Sequence, residues 1–97
     1  MYLGYQQIAL TGAPVVKTAA LLTIPGSASG AMLQANSSGD INYTMDDATQ
    51  PGSSTGMVLK ADASPEEFLI EDVARIRFVQ SGADTALNVH FFGGRDI

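Results

Sequence analysis

Apolar and polar residues alternate with a period of two through much of this chain. In residues 41–45, Ile41, Tyr43 and Met45 point one way, while Asn42 and Thr44, followed by Asp46, point the other. The run before it, AMLQAN (31–36), is separated from it only by Ser37-Ser38-Gly39-Asp40, which predicts two short strands joined by a tight Gly-Asp turn. In residues 75–80, Ile76 and Phe78 fall on one face and Arg75 and Arg77 on the other. In residues 86–92, Leu87, Val89 and Phe91 alternate with Asn88, His90 and Phe92. The connector Ser81-Gly82-Ala83-Asp84-Thr85 predicts that these last two strands form a hairpin. Ile76, Phe78, Leu87, Val89 and Phe91 would then share an inner face with Ile41 and Tyr43.

Turn residues punctuate the chain at short intervals: 11–14, 25–27, 37–40, 51–56, 61–65 and 81–82. Strands are expected at 5–10, 16–24, 31–36, 41–45, 57–59, 67–70, 75–80 and 86–92. That spacing predicts an all-β fold, a small antiparallel β-sandwich or jelly-roll-like barrel of about eight short strands. Ser64-Pro65-Glu66-Glu67 carries a helix-start signal, Ser as N-cap and Pro at the first position, but Phe68-Leu69-Ile70 after it suit a strand better, so at most one short turn is expected there.

At 97 residues the chain is expected to be one domain, residues 1–97. The ends, 1–7 and 93–97, carry aromatic and aliphatic anchors, and are either outer strands or arms reaching a neighbour. Charged residues make up only 15%, so the polar surface is largely Ser, Thr, Gln, Asn and Gly. A net charge of −5 with scattered Lys17, Lys60, Arg75, Arg77 and Arg95 argues against nucleic acid as a partner. Without cysteine there is no disulfide or thiolate metal site. MYLGYQQ lacks a basic signal-peptide start, and Pro14 and Lys17 interrupt the apolar patch from Ile8 to Ile24, so no membrane partner is expected.

The candidate chemistry is thin. Asp46-Asp47 beside Asp40 offers clustered carboxylates of the kind Ca²⁺ takes, but the alternating EF-hand pattern is missing, and Asp at a strand end caps the following turn. His90 is the only histidine and no nucleophile motif accompanies it, so it reads as a surface or interface residue. Glu66, Glu67, Glu71 and Asp72 form a solvated acidic face that Arg75 and Arg77 could partner. The glycine steps open no phosphate-binding helix. No catalytic residue, metal or cofactor is expected.

From Ala31 onward the chain resembles small virion proteins of tailed bacteriophages, of the head decoration or cement type. The matching pieces are Met32-Leu33-Gln34-Ala35, Ile41-Asn42-Tyr43, Asp46-Asp47, Gly56-Met57-Val58-Leu59, Phe68-Leu69-Ile70, Ala74-Arg75-Ile76-Arg77-Phe78 and Leu87-Asn88-Val89-His90-Phe91. The turn Ser-Ser-Gly-Asp and the Ser-rich loop before Gly56 depart from the pattern. The resemblance implies a non-enzymatic β-sandwich made in the host cytoplasm and mounted on the capsid surface. Its partner would be the major capsid protein, bound across neighbouring subunits, with the protein itself a homo-oligomer. The residues expected to bind are Tyr2, Leu3, Tyr5, Phe92, Arg95 and Ile97. The alternative is a tail, neck or baseplate component, or a receptor- or carbohydrate-binding module of the virion. Such sites stack a sugar on an exposed aromatic, and within its own strand only Tyr43 has polar neighbours.

Overall fold

In the computed structural model, which describes residues 2–52 and 54–93, the alternation becomes eight strands. They are β1 (Tyr2–Leu10), β2 (Lys17–Thr18), β3 (Ala28–Ala35), β4 (Ile41–Thr44), β5 (Met57–Leu59), β6 (Glu66–Leu69), β7 (Arg77–Gln80) and β8 (Thr85–Gly93). A 3-10 turn occupies Ala19–Leu21 and a single helical turn, α1, occupies Ile70–Val73. The strands form two four-stranded sheets, ordered β1-β8-β3-β6 and β2-β7-β4-β5, with every pairing antiparallel. β1 therefore pairs with β8, β2 with β7, β3 with β6 and β4 with β5, which is one long hairpin, tipped at β4–β5, rolled up on itself. This all-β sandwich has jelly-roll topology.

Rolling corrects both predicted hairpins. β3 lies in one sheet and β4 in the other, so residues 36–40 arch across the sandwich instead of closing a hairpin. Residues 81–84 do the same between β7 and β8. The alternation is blind to the difference, because an inward-facing residue meets the same core from either sheet. Hydrogen bonds stitch the two arches together at one end. The Thr85 hydroxyl shares its one proton between the Asn36 and Gly39 carbonyls, at 3.3 and 3.0 Å, and Ser81 N–H donates to the Asp40 carbonyl at 3.0 Å. The Asp40 carboxylate accepts from Ala61 N–H at 2.7 Å and faces Lys60 Nζ at 3.4 Å.

The inner faces supply one core. Leu10, Ala31, Leu33, Ala35, Leu87, Val89 and Phe91 come from the first sheet, and Ile41, Tyr43, Leu59 and Phe78 from the second. Ile76, just before β7, and Val73 of α1 complete it. α1 forms because Ile70 and Val73, three apart, can both face that core. The helix thus follows β6, whereas the Ser64-Pro65 signal pointed to a start before it. The strand expected at 16–24 is also corrected. Only Lys17–Thr18 pair with β7, after which the Thr18 hydroxyl accepts from Ala20 N–H at 3.3 Å and the chain turns.

The second sheet is covered on its outer side as well, since Asn42 and Val79 are buried. The covering loop runs from Asp46 to Pro51 and is clamped by Arg77. Its guanidinium donates to the Asp47 carbonyl at 3.0 Å and to Gln50 Oε1 at 2.9 Å, and lies 3.8 Å from the Asp47 carboxylate. Arg77 therefore serves this loop, and among the described residues neither it nor Arg75 pairs with the acidic group around β6. Asp46 makes the turn expected of it, accepting from the Thr49 hydroxyl at 2.6 Å and from Thr49 and Ala48 N–H at 2.8 and 3.0 Å. These bonds, the Thr49 hydroxyl first, hold its carboxyl down to about 2 from the usual 3.8. A depressed carboxyl contributes stability above its unfolded pKa and loses it as pH falls through the folded one. The loop should accordingly loosen as pH drops from 3.8 toward about 2. Asp46→Ala should flatten that part of the profile, as read by the exchange of the Thr49 amide across a pH series.

Candidate functional site

The outer face of the β1-β8-β3-β6 sheet is uncovered, and its side chains fall into three rows set by strand register. The first runs Tyr2, Phe92, Gly30, Leu69; the second Tyr5, His90, Met32, Glu67; the third Gln7, Asn88, Gln34. The face grades from apolar, through aromatic and thioether, to wholly amide. Glu67, on the outermost strand, is its one charged side chain.

A bulge builds the first row. Strict alternation from Tyr5, which faces outward, would put Tyr2 on the core side. Between Tyr2 and Gly4 the register shifts, because Tyr2 pairs with Phe92 and Gly4 with Phe91. Leu3 is the extra residue and packs against the core, and Tyr2 swings to the outer face beside Phe92. Tyr2 then stacks on His90, ring centroids 4.1 Å apart and planes 22° off parallel, while its hydroxyl reaches Met32 Sδ at 3.4 Å. Tyr5 meets the same imidazole edge-on at 5.9 Å. His90 is thus wedged between two tyrosines that stay more than half exposed, at 55% and 60%. Its ring makes no hydrogen bond to an aspartate or serine among the described residues, the arrangement a triad would need. The ring of Phe92 lies over Gly30, where an added Cβ would sit 2.6 Å from its Cζ. The missing side chain leaves room for the ring.

The amide row is oriented. Asn88 Oδ1 accepts from the Tyr5 hydroxyl at 3.1 Å and from Gln7 Nε2 at 2.8 Å, and Gln34 Nε2 donates to the Ala63 carbonyl at 3.1 Å. The opposite ends of these amides, Asn88 Nδ2, Gln7 Oε1 and Gln34 Oε1, have no protein partner among the described residues and offer a donor flanked by two acceptors. A shallow hollow of about 120 Å³ lies between this row and the aromatic one, bordered by Tyr5, Met32, Gln34, Pro65, Asn88 and His90.

Of the residues expected to bind, Tyr2, Tyr5 and Phe92 come together on this face, Leu3 turns to the other side of the sheet, and Arg95 and Ile97 lie outside the described residues. Residues 2–7, weighed as an arm, are part of β1 and pinned to β8. Tyr43 is a core residue, 6% exposed and edge-on to Phe68 at 5.7 Å. Met32, Leu69, Gln7, Gln34 and Asn88 escaped the sequence reading, because their neighbours on the face come from other strands and, for the Gln34 amide, from the Ala63 carbonyl in the loop before β6. The acidic residues Glu66, Glu67, Glu71 and Asp72 gather at the β6 edge and in α1, away from β1.

The fold and this face define a small jelly-roll domain that carries a nearly charge-free aromatic and amide surface. Among the described residues no group of His, Asp or Glu could hold a metal ion, and no helix is long and apolar enough to cross a membrane. No protein-family model, curated protein or solved structure matches the chain.

Proposed function

We propose that the protein is a non-enzymatic virion structural protein that decorates a tailed-phage capsid and docks on it through the outer face of the β1-β8-β3-β6 sheet. The observation that carries this reading is the gathering of Tyr2, Tyr5, His90 and Phe92 on one uncovered sheet face with a single carboxylate at its margin. Interface centres are enriched in exposed tyrosine and poor in charge. The resemblance of residues 31–91 to head decoration proteins supplies the partner, the major capsid protein. The jelly-roll fold hosts capsid and lectin domains alike, so it supports the class by analogy only.

The test is occupancy on capsids that lack their decoration protein. Wild type should saturate them. A Tyr2→Ser/Tyr5→Ser/Phe92→Ser variant, checked to be folded by its thermal melt, should bind about a hundredfold more weakly, since two or three hot-spot side chains are lost. Equal occupancy by the two proteins would sink the proposal. A second reading, a glycan-binding module of the virion, draws on the donor and acceptors of Asn88, Gln7 and Gln34 that have no partner among the described residues, beside two exposed tyrosine rings. It predicts that soluble oligosaccharides displace the protein from its target and shift the Tyr5 and Asn88 resonances, and a silent titration removes it.

A further inference from the structure

We propose that the hollow between the aromatic and amide rows seats an arginine side chain projected by the docking partner. The inference rests on the docking reading above and names the chemical group that the partner presents. Tyr5 of β1, Asn88 and His90 of β8, Met32 and Gln34 of β3, and Pro65 just before β6 border the hollow. Its volume of about 120 Å³ falls short of the ~150 Å³ that takes up one benzene. It therefore fits the slim head of one side chain and not a whole aromatic ring.

The border suits a flat cation. Tyr5, 60% exposed, brings an electron-rich ring, and Met32 adds a polarisable thioether. Gln34 Nε2 is spent on the Ala63 carbonyl at 3.1 Å, which orients the amide and leaves Oε1 as an acceptor with no partner among the described residues. An apolar side chain laid over that oxygen would leave it unsatisfied. Glu67 pairs with Met32 across the β3–β6 ladder and faces the same side, roughly 5 Å or one strand spacing from the hollow. A guanidinium uses all three features, because its plane stacks on the tyrosine ring while its N–H fork reaches two acceptors. An ammonium is a point charge with no flat face to lay on the ring.

Charge selects the cation. The basic residues among those described lie in or next to strands of the other sheet: Lys17 in β2, Lys60 after β5, Arg75 before β7 and Arg77 in β7. The β1-β8-β3-β6 sheet has Glu66 and Glu67 in β6, followed by Glu71 and Asp72 in α1, and no lysine or arginine in its described strands. The hollow thus opens toward the acidic margin of a chain of net charge −5, with no cation of that sheet to fill it. A negative margin draws a cationic surface at long range and fixes its register once it arrives. Arginine is also among the side chains that carry the binding energy at interface centres.

NMR titrations of the full chain at pH 8 and low salt test this, with N-acetyl-arginine amide, N-acetyl-lysine amide and the uncharged isostere N-acetyl-citrulline amide as probes. The arginine probe should shift the Tyr5 ring, Met32 methyl and Gln34 side-chain amide signals saturably. It should bind about threefold or more tightly than either of the others. Glu67→Gln should erase its advantage over citrulline, and Tyr5→Leu its advantage over lysine. On capsids that lack their decoration protein, Glu67→Gln should lower affinity about tenfold, as for a charge pair covered by the interface. Citrulline or lysine binding as tightly as arginine overturns the proposal, and so does a Glu67→Gln protein that keeps the wild-type preference. A silent titration on a protein that still occupies capsids removes the arginine seat and leaves docking intact. An arginine-selective hollow on a protein that ignores capsids does the reverse.

Discussion

Phe78→Ala is expected to destabilise the protein by about 3–5 kcal/mol, roughly a fifth or more of the ~5–15 kcal/mol that holds a domain of this size together. Phe78 has no exposed surface, sits in the interior strand β7 between β2 and β4, and pairs with Lys17 on one side and Tyr43 on the other. Its ring points between the sheets, where Phe91 and Leu33 arrive from the opposite layer and can close only part of the void. In a small domain that loss corresponds to a fall in melting temperature of about 12–40 °C. Tyr5→Ala, which removes an aromatic of similar size from the exposed face together with its edge-on contact to His90 and its bond to Asn88, should cost only ~1 kcal/mol. Thermal melts of the two variants side by side make the measurement. A Phe78→Ala protein melting within a few degrees of wild type would mean that the ring is not where the jelly roll puts it.

Gly30→Val is the second large effect, and it links the fold to the face. A Cβ at position 30 would stand 2.6 Å from the Phe68 carbonyl oxygen and 2.6 Å from Phe92 Cζ. The ring can rotate away, but the carbonyl belongs to the β3–β6 ladder and cannot move without cost to the sheet. The expected loss is about 1–3 kcal/mol, as for overpacking elsewhere. In wild type the Gly30 α-protons should resonate upfield beneath the Phe92 ring, and in Gly30→Val the aromatic signals of Phe92 should shift toward solvent-like values. The pair Gly30→Ala and Phe92→Ala should be non-additive by ~0.5 kcal/mol or more, because the second change removes one of the two clashes made by the first. Simple additivity would mean that ring and glycine do not touch.

The alternation of Leu87, Val89 and Phe91 against Asn88, His90 and Phe92 is realised residue for residue in β8. Such a pattern is legible because a pleated strand sends successive side chains to opposite faces whatever its neighbours are. What stayed illegible was the neighbour itself. Met32 has no aromatic beside it in the sequence, yet its strand lies against β8, and Met32 meets His90 and the Tyr2 hydroxyl. Tyr43 drew attention as a stacking platform because Asn42 and Thr44 flank it, and those flanking residues point away from it. Tyr5 has the amides of Gln7 and Asn88 on its own side of the sheet, which only register reveals. Tyr2 depended on a one-residue bulge at Leu3, invisible to any count of alternating positions.

Most of the strands with their inner and outer faces, most of the core, the turn at Asp46 and the scarcity of charge were set by the sequence alone. These follow from local rules: the pleat, turn chemistry and the cost of burying polar groups. Tertiary structure alone decided that β3 and β4 part company into different sheets, that β8 lies between β1 and β3, and that Tyr2, Tyr5, His90 and Phe92 meet on one face. The physical reason is that backbone N–H and C=O groups are nearly the same in every residue, so the ladder bonds carry no label for their partner. Partners are chosen by the packing of the whole hairpin as it rolls, and the face left uncovered is a product of that choice.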